Sequence, residues 1–109
     1  MDIQIKKDSV VVRNISDIVA NNCREFKERV LAVLTDSHTV VELDLTHTSI
    51  VDSSGLGSLI SLDKTMRTRK GLVRLLNPSQ SVMTILELTR LHRVFEVVTE
   101  NRSVPAGRA

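Results

Sequence analysis

The spacing of hydrophobic residues changes several times along the chain, and each change predicts a boundary between a strand and a helix. Ile3 and Ile5 alternate with polar residues, and a polar turn then leads into the apolar run 10–12, which predicts a hairpin of two strands. Beyond it, apolar residues recur every three or four positions, as on one face of an amphipathic helix. That face carries Cys23, Phe26, Val30, Val33 and Leu34, and Asn21 or Asn22 is a suitable N-cap.

The middle of the chain alternates buried strands with a long helix. Residues 40–45 are nearly all apolar and include β-branched side chains, which indicates a buried central strand. A helix follows, with Asp52 or Ser53 as its cap and Gly71 as the C′ glycine that ends it. Residues 72–76 predict the next strand.

The last third of the chain predicts one more helix and one more strand. Pro78 is tolerated in the first turn of a helix, so the polar stretch around it opens a helix. Residues 94–98 read as the final strand, and residues 101–109, with little apolar content, as a frayed tail. The buried face of the helix is expected to contain Val82, Ile85 and Leu86.

The predicted order is therefore ββαβαβαβ, and the fold class is α/β. Strands that alternate with helices become parallel neighbours joined by right-handed crossovers. We expect residues 1–100 to form one domain, in which a mixed β-sheet is packed with amphipathic helices. A chain of 109 residues is long enough for one such core but not for two.

The charge balance argues against nucleic-acid binding. The net charge is +2, basic and acidic residues are interspersed, and the chain has no Tyr or Trp on which a base could stack. The densest basic stretch falls near the end of the long helix, where cations complement the helix dipole. It consists of Lys64, Arg67, Arg69 and Lys70.

Other functional classes also lack support in the sequence. No apolar run approaches the roughly 18–20 residues that cross a bilayer, and the N-terminus has no signal-peptide pattern. Cys23 stands alone and is expected to be a small buried hydrophobe, so a reducing cytoplasm is the expected location. His38, His47 and His92 share no metal-ligand spacing and are expected at the surface or in turns. We therefore expect no metal and no cofactor.

The motif Asp-Ser-Ser-Gly-Leu-Gly, residues 52–57, is the most informative stretch of the chain. It lies where a predicted helix begins after a predicted strand. The free N–H groups of the first helical turn and the positive end of the helix dipole favour an anion there. A phosphoryl group on a serine would add about −1.5 to −2 charges beside Asp52. The motif by itself is equally compatible with a capped helix start in which glycines permit close packing.

Enzymatic readings of this motif fail on spacing. A nucleophile elbow requires glycine two residues before the serine, where Val51 and Asp52 stand instead. A dinucleotide fingerprint requires glycine at position 60, which is Ile60. The G-K-[ST] sequence that ends a P-loop is also missing. His47 precedes the motif and could act as a base only within hydrogen-bond reach of a serine. We therefore predict that the protein is not an enzyme.

Residues 40–76, together with the serine motif, resemble the STAS domain of bacterial anti-sigma factor antagonists. Leu-Asp-Leu at 43–45 precedes the motif, Leu-Leu-Asn-Pro-Ser at 75–79 follows it, and Ile-Leu-Glu-Leu-Thr at 85–89 matches a later helix of the family. The likeness extends from Ile3 to Val98. It implies a STAS fold and a protein-binding module without catalysis.

The resemblance also implies a mechanism of partner switching. Ser53 would be phosphorylated by a partner that is both anti-sigma factor and serine kinase of the GHKL ATPase type, with Ser54 the second candidate for the acceptor and otherwise a structural cap. The unphosphorylated protein would bind this partner and free a sigma factor, and a PP2C-type phosphatase would reset the switch. Gly55 and Gly57 would keep the contact surface flat. The implied partner-binding residues are Asp52, Ser53, Ser54, Gly55, Leu56, Gly57, Ser16 and Asp17, with Leu56 either a core residue or an exposed contact.

Two departures from the family pattern leave a second function open. The family usually has Gly-Glu-Leu-Asp where this chain has Ser16, Asp17, Ile18 and Val19, so the glycine and the last acid are replaced. Arg90 stands where the family often has glycine. The alternative is a STAS scaffold or transporter-associated subunit without a phosphorylation cycle. In either case we expect a monomer.

Overall fold

The computed structural model of the protein describes residues 1–100, and the predicted tail over 101–109 lies outside the described residues. Within residues 1–100 the chain forms five strands, three α-helices and a short 3₁₀ turn, Leu91–Arg93. The strands are β1 (Asp2–Ile5), β2 (Ser9–Arg13), β3 (Val40–Asp44), β4 (Leu72–Leu76) and β5 (Glu96–Val98), and the helices are α1 (Cys23–Val33), α2 (Ser53–Thr68) and α3 (Gln80–Leu88). The predicted fold class and element order are confirmed.

The strands lie in the sheet in the order in which they occur along the chain. β1 pairs antiparallel with β2, and the three following pairs are parallel. Each parallel strand lies on the same side of the strand before it, and crossovers between parallel strands are right-handed. The crossover helices therefore all lie on one face of the sheet. The loops that leave β2, β3 and β4 meet at one edge, which we call the carboxyl edge.

The hydrophobic core lies between the inner face of the sheet and the helices. Alternate residues of β3 and β4, such as Val41, Leu43, Val73 and Leu75, are fully buried there. The helices contribute Phe26, Val30, Leu59, Leu62, Met66, Val82 and Leu86. Four members of the predicted helix faces are only half-buried: Cys23, Val33, Leu34 and Ile85. Apart from Phe26, Met66 and Phe95, the residues of this core are Val, Ile and Leu.

The outer face of the sheet is covered by long polar side chains of the strands themselves. One row crosses all five strands and consists of Gln4, Val11, Glu42, Arg74 and Glu96. Nη1 of Arg74 lies 2.6 Å from Oε2 of Glu42, and its Nε lies 2.5 Å from Oε1 of Glu96. These hydrogen bonds, first that to Glu42 and then that to Glu96, raise the pKa of Arg74 above its ordinary value. We call these three residues the charge ladder.

The end of α2 differs by one residue from the expectation. Lys70, not Gly71, takes the left-handed C′ position, with φ of 62°. The N–H of Lys70 donates to the carbonyl of Arg67, and that of Gly71 to the carbonyl of Met66, which is the Schellman pattern. Gly71 is needed because a Cβ at this position would lie 1.9 Å from the carbonyl oxygen of Thr39.

Two boundaries near the C-terminus also differ from the sequence prediction. The hydroxyl of Ser79 caps α3, so Pro78 precedes the helix instead of standing in its first turn. β5 is shorter than the alternation suggested, because the N–H groups of Val94 and Phe95 both donate to the carbonyl of Leu91 in the 3₁₀ turn. These N–H groups are therefore unavailable to the sheet.

His38, expected at the surface or in a turn, is buried, with 2% of its surface exposed. Its Nδ1 accepts the N–H of Thr35 at 3.0 Å, and its Nε2 lies 2.9 Å from the carbonyl oxygen of Lys6. Nε2 therefore carries the proton and donates, and the ring is neutral. The side chain ties the loop before β3 to the β1–β2 hairpin, a long-range role that the sequence does not reveal.

Candidate functional site

The serine motif lies at the carboxyl edge, where the loop after β2 and the loop after β3 run side by side. Ile18 and Val51 form a parallel bridge. The N–H of Ile18 donates to the carbonyl of Ile50 at 2.9 Å, and the N–H of Asp52 donates to the carbonyl of Ile18 at 3.3 Å. The structure thus places Ser16, an exposed residue, in the loop that flanks the motif.

Asp52 is the N-cap of α2, as predicted. Its Oδ1 accepts the N–H of Gly55 at 2.8 Å, and its Oδ2 accepts the N–H of Ala20 at 3.1 Å, just before α1. The alternative role of Ser54 as a structural cap is therefore wrong, because Asp52 fills it. The half-buried Asp52 side chain joins the starts of two helices, and both of its oxygens are used inside the protein.

The side chain of Asp17, in the loop after β2, holds the loop after β3 by hydrogen bonds. Its Oδ1 accepts the N–H groups of Ser49 and Ile50 at 3.1 and 3.0 Å. The carbonyl of Asp17 accepts a hydrogen bond from Nδ2 of Asn22, whose Oδ1 accepts the N–H of Val19. Asn22 therefore stands at the N-cap position of α1 but bonds to the preceding loop rather than to the helix. The loop departs from the family pattern, yet it is tightly ordered by its own residues.

Ser53 and Ser54 occupy the first two positions of α2 and are both exposed. Within the described part of the chain neither hydroxyl has a hydrogen-bond partner. Their N–H groups belong to the first helical turn, where no preceding carbonyl is available within the helix. A phosphoryl group on either oxygen would thus find solvent access and the positive end of the helix dipole.

The two glycines of the motif have different surroundings. Gly55 is buried, and a Cβ there would lie 2.0 Å from the carbonyl oxygen of Ile18, so the side-by-side loops require glycine. Gly57 is exposed, and a Cβ there would meet nothing within 4 Å. The expectation of a flat contact surface therefore rests on Gly57, whereas Gly55 has an internal reason.

Leu56 and Ile50 are the apolar residues nearest to the serines. Leu56 is half-buried and packs against the core, so it has elements of both roles considered for it. Ile50 is 55% exposed, and the sequence analysis missed it because it follows a predicted strand and looks like a core residue. It becomes visible only in the structure, as an exposed apolar side chain on a loop whose backbone is hydrogen-bonded at Ser49 and Ile50.

The loop that carries Ile50 is also fastened to α3. The hydroxyl of Ser79 donates to the carbonyl of Thr48 at 2.9 Å, and that of Ser81 donates to the carbonyl of Ser49 at 2.8 Å. Thr48 is fully buried, with Oγ1 donating to the carbonyl of Ile15. Five exposed residues of this edge, which we call the serine surface, lie in or beside the motif: Ser16, Ile50, Ser53, Ser54 and Gly57.

The side chains around the serine motif form neither a hydrogen-bonded serine–histidine pair nor a cluster of metal ligands within residues 1–100. His47 is exposed. Within residues 1–100 it makes no hydrogen bond to a serine. The described residues contain no group of three potential metal ligands. A cleft of about 200 Å³ lies beside Ser16 and Asp17, next to Phe26. Because the strand order never reverses, the sheet lacks the switch point at which α/β folds open a deep crevice.

Comparison with known proteins identifies the class to which this fold and edge belong. The family model for the STAS domain matches residues 1–103, and the chain belongs to that family. A protein of Listeria monocytogenes serovar 1/2a named anti-sigma-B factor antagonist is 27% identical over 100 residues, which cover 89% of this chain and 88% of that protein. A Listeria innocua protein of the same name matches equally well.

Solved structures share the fold at lower identity. An anti-sigma factor antagonist of Thermotoga maritima superposes with a TM-score of 0.84 at 22% identity and covers 94% of this chain and 88% of its own. The unphosphorylated form of the antagonist SpoIIAA superposes with a TM-score of 0.77 at 19% identity. The match covers 94% of this chain and 91% of SpoIIAA. The phosphorylated form of SpoIIAA, a Bacillus cell fate determinant, superposes with a TM-score of 0.69 at 19% identity. The match covers 94% of this chain and 95% of that protein. In the part of the chain described, no helix combines the length and hydropathy of a membrane span.

Proposed function

We propose that the protein is an anti-sigma factor antagonist controlled by phosphorylation of Ser53. The unphosphorylated form binds a GHKL-type partner that is both anti-sigma factor and serine kinase, and thereby frees a sigma factor. The kinase transfers the γ-phosphoryl group of ATP to Oγ of Ser53 and releases ADP. The phosphorylated form dissociates, and a PP2C-type phosphatase hydrolyses the phosphoester and regenerates the hydroxyl.

The observation that carries the proposal is the free hydroxyl of Ser53 on a fixed helix start. Asp52 caps the helix and Gly55 seats it against Ile18, so the position of Ser53 is set by the fold. The hydroxyl itself is exposed and bonded to no described group. A kinase can therefore reach it without unfolding the chain.

A phosphate at this position would change the surface more than elsewhere. Between residues 45 and 62 the sequence carries a single formal charge, that of Asp52. Both oxygens of Asp52 are already engaged by N–H groups. Adding about −1.5 to −2 charges to a nearly neutral surface opposes burial against a partner, because an unpaired charge loses its hydration there.

The names of the relatives agree with this proposal. The Listeria proteins are called anti-sigma-B factor antagonists, and SpoIIAA has been solved in unphosphorylated and phosphorylated forms. The absence of a reversal in the strand order favours a binding surface over a substrate crevice. We accordingly propose a non-catalytic, cytoplasmic module that needs no metal or cofactor.

The test measures phosphorylation and binding with each GHKL-type serine kinase of the source organism. We expect incorporation of one phosphate with ATP, located on Ser53 by mass spectrometry. Ser53→Ala should abolish it, whereas the matched control Ser54→Ala should retain it. Ser53→Asp should weaken binding of the partner by about tenfold or more, because the carboxylate places an unpaired charge in the contact.

Two results would contradict the proposal. Equal partner binding by Ser53→Ala and Ser53→Asp would remove the switch. Stable binding without phosphate transfer, in large assemblies or with membrane proteins, would favour the scaffold or transporter-associated alternative. Phosphate on Ser54→Ala but not on Ser53→Ala is the outcome that assigns the acceptor.

A further inference from the structure

Ile50 is the feature of the carboxyl edge that the fold does not explain. Its side chain is 55% exposed, while its neighbours Thr48 and Val51 are buried with 0% and 6% of their surfaces exposed. An exposed isoleucine contributes little to the stability of the monomer, since hydrophobic stabilisation follows the area removed from water. Its exposed side chain is therefore available to a partner.

The backbone of Ile50 is held on both sides. Its N–H donates to Oδ1 of Asp17 at 3.0 Å, and its carbonyl accepts the N–H of Ile18 at 2.9 Å. The preceding residue is fixed as well, because the N–H of Ser49 donates to Asp17 and its carbonyl accepts the hydroxyl of Ser81. A side chain on such a loop binds without the entropic cost of ordering the backbone.

The surroundings of Ile50 have the composition of an interface centre. Ser53 follows it by three residues, and the only formal charge between residues 45 and 62 is that of the half-buried Asp52. Interface centres are depleted in charged residues, and a few apolar anchors seated in partner pockets supply most of the binding free energy. A rigid apolar side chain in a neutral patch fits this description.

We propose that Ile50 is the apolar anchor of the serine surface and inserts into an apolar pocket of the anti-sigma factor. This inference rests on the proposed function and adds the residue by which the partner is held. It also connects binding to the switch. A phosphoryl dianion on Ser53 would stand beside the anchor, so seating Ile50 in a dry pocket would require stripping water from the charge.

The experiment compares Ile50 with two apolar residues that are at least as exposed and lie away from the serine surface. Ile5, 58% exposed, pairs with Val10 at the start of β2, and Leu88, 76% exposed, ends α3. Dissociation constants of the unphosphorylated full chain and the anti-sigma factor would be measured by titration calorimetry. Ile50→Ala is expected to weaken binding by about tenfold or more, as for an interface anchor.

The controls separate anchoring from stability. Ile5→Ala and Leu88→Ala should change the dissociation constant by less than about twofold, since single exposed apolar residues outside an interface are energetically neutral. Ile50→Leu should retain most of the affinity, and the melting temperature of Ile50→Ala should match that of the parent. In kinase assays Ile50→Ala should raise KM for the antagonist and leave kcat unchanged.

Each other result overturns the inference in a recognisable way. If Ile50→Ala binds like the two controls while Ser53→Asp is impaired, the anchor is wrong and the proposed function stands. If Ile50→Ala instead abolishes self-association in sedimentation experiments, the occupant is a second copy of the chain. If no anti-sigma factor binds the parent protein, both the anchor and the proposed function fail.

Discussion

Gly55 and Gly57 stand two positions apart in the motif and meet opposite conditions. Gly55 faces the carbonyl of Ile18, which a Cβ would approach to 2.0 Å, whereas a Cβ at Gly57 would enter open space. Glycine inside a helix costs about 0.5–1 kcal/mol relative to alanine. Gly57 therefore lowers stability without a compensating contact in the folded chain, and its benefit is expected in binding.

The first prediction sets these two residues against each other. Gly57→Ala should raise the free energy of unfolding by about 0.5–1 kcal/mol through helix propensity. Gly55→Ala should lower it by about 1–3 kcal/mol, because the added methyl group must displace the backbone of Ile18. Urea denaturation followed by circular dichroism measures both. Changes of the same sign would show that Gly55 and Gly57 play equivalent roles.

The residue types of the site could be predicted from the sequence, but their tasks could not. Asp52 was recognisable as a cap because it precedes a helix-like segment. Its second bond, to the N–H of Ala20, joins residues 32 positions apart, and no local pattern encodes it. Asp17 was expected only as a partner-binding residue, and nothing local in the sequence indicates that its Oδ1 fastens the loop of Ile50. Long-range hydrogen bonds of this kind depend on the assembled fold.

At the scale of elements, the start of α2 is stabilised by one carboxylate that also fixes the approach to α1. Asp52→Ala should lower the free energy of unfolding by about 1–2 kcal/mol, since capping substitutions cost that amount. Asp52→Asn should lower the free energy of unfolding by less, because the amide oxygen still accepts the N–H of Gly55. Some loss remains, because the amide nitrogen cannot accept the N–H of Ala20. Thermal unfolding of the three proteins checks the order.

An exposed acid provides the control for this element. Asp36 lies in the turn before β3 and is exposed, so Asp36→Ala should change the free energy of unfolding by less than about 0.5 kcal/mol. If Asp52→Ala were as mild as Asp36→Ala, the link between α1 and α2 would have no energetic weight. The position of Ser53 would then have to be set by Gly55 alone.

Element types could be predicted better than element ends. Short apolar or alternating runs predicted each strand of residues 1–100, and the helical period of apolar residues predicted each α-helix there. The ends were decided by turns: the left-handed Lys70 ends α2, and the carbonyl of Leu91 takes the N–H groups that would have lengthened β5. A non-glycine residue in the left-handed region has no clear sequence signal.

At the scale of the whole molecule, the fold has helices on one face of its sheet and needs a solvated outer face. The rows beside the charge ladder carry apolar side chains, among them Leu72 and Leu76, both half-buried. The long side chains of Glu42 and Arg74 lie in the row between them. Long charged side chains can cover apolar surface with their methylene groups while their charges stay in water.

The last prediction concerns this face and the expected monomer. Replacing Glu42 and Arg74 together by leucine would join Val11 to Leu72 and Leu76 in a larger apolar patch, with Glu96 left at its margin, and such patches drive association. The double variant should therefore self-associate at concentrations where the parent sediments as a monomer, and adding salt should not reverse it. The control, Glu42→Gln with Arg74→Lys, keeps long polar side chains at both positions and should remain monomeric. Because the ladder lies on the face away from the helices, binding of the anti-sigma factor at the carboxyl edge should persist in the control. Equal sedimentation of all three proteins would mean that the ladder has no part in keeping the outer face solvated.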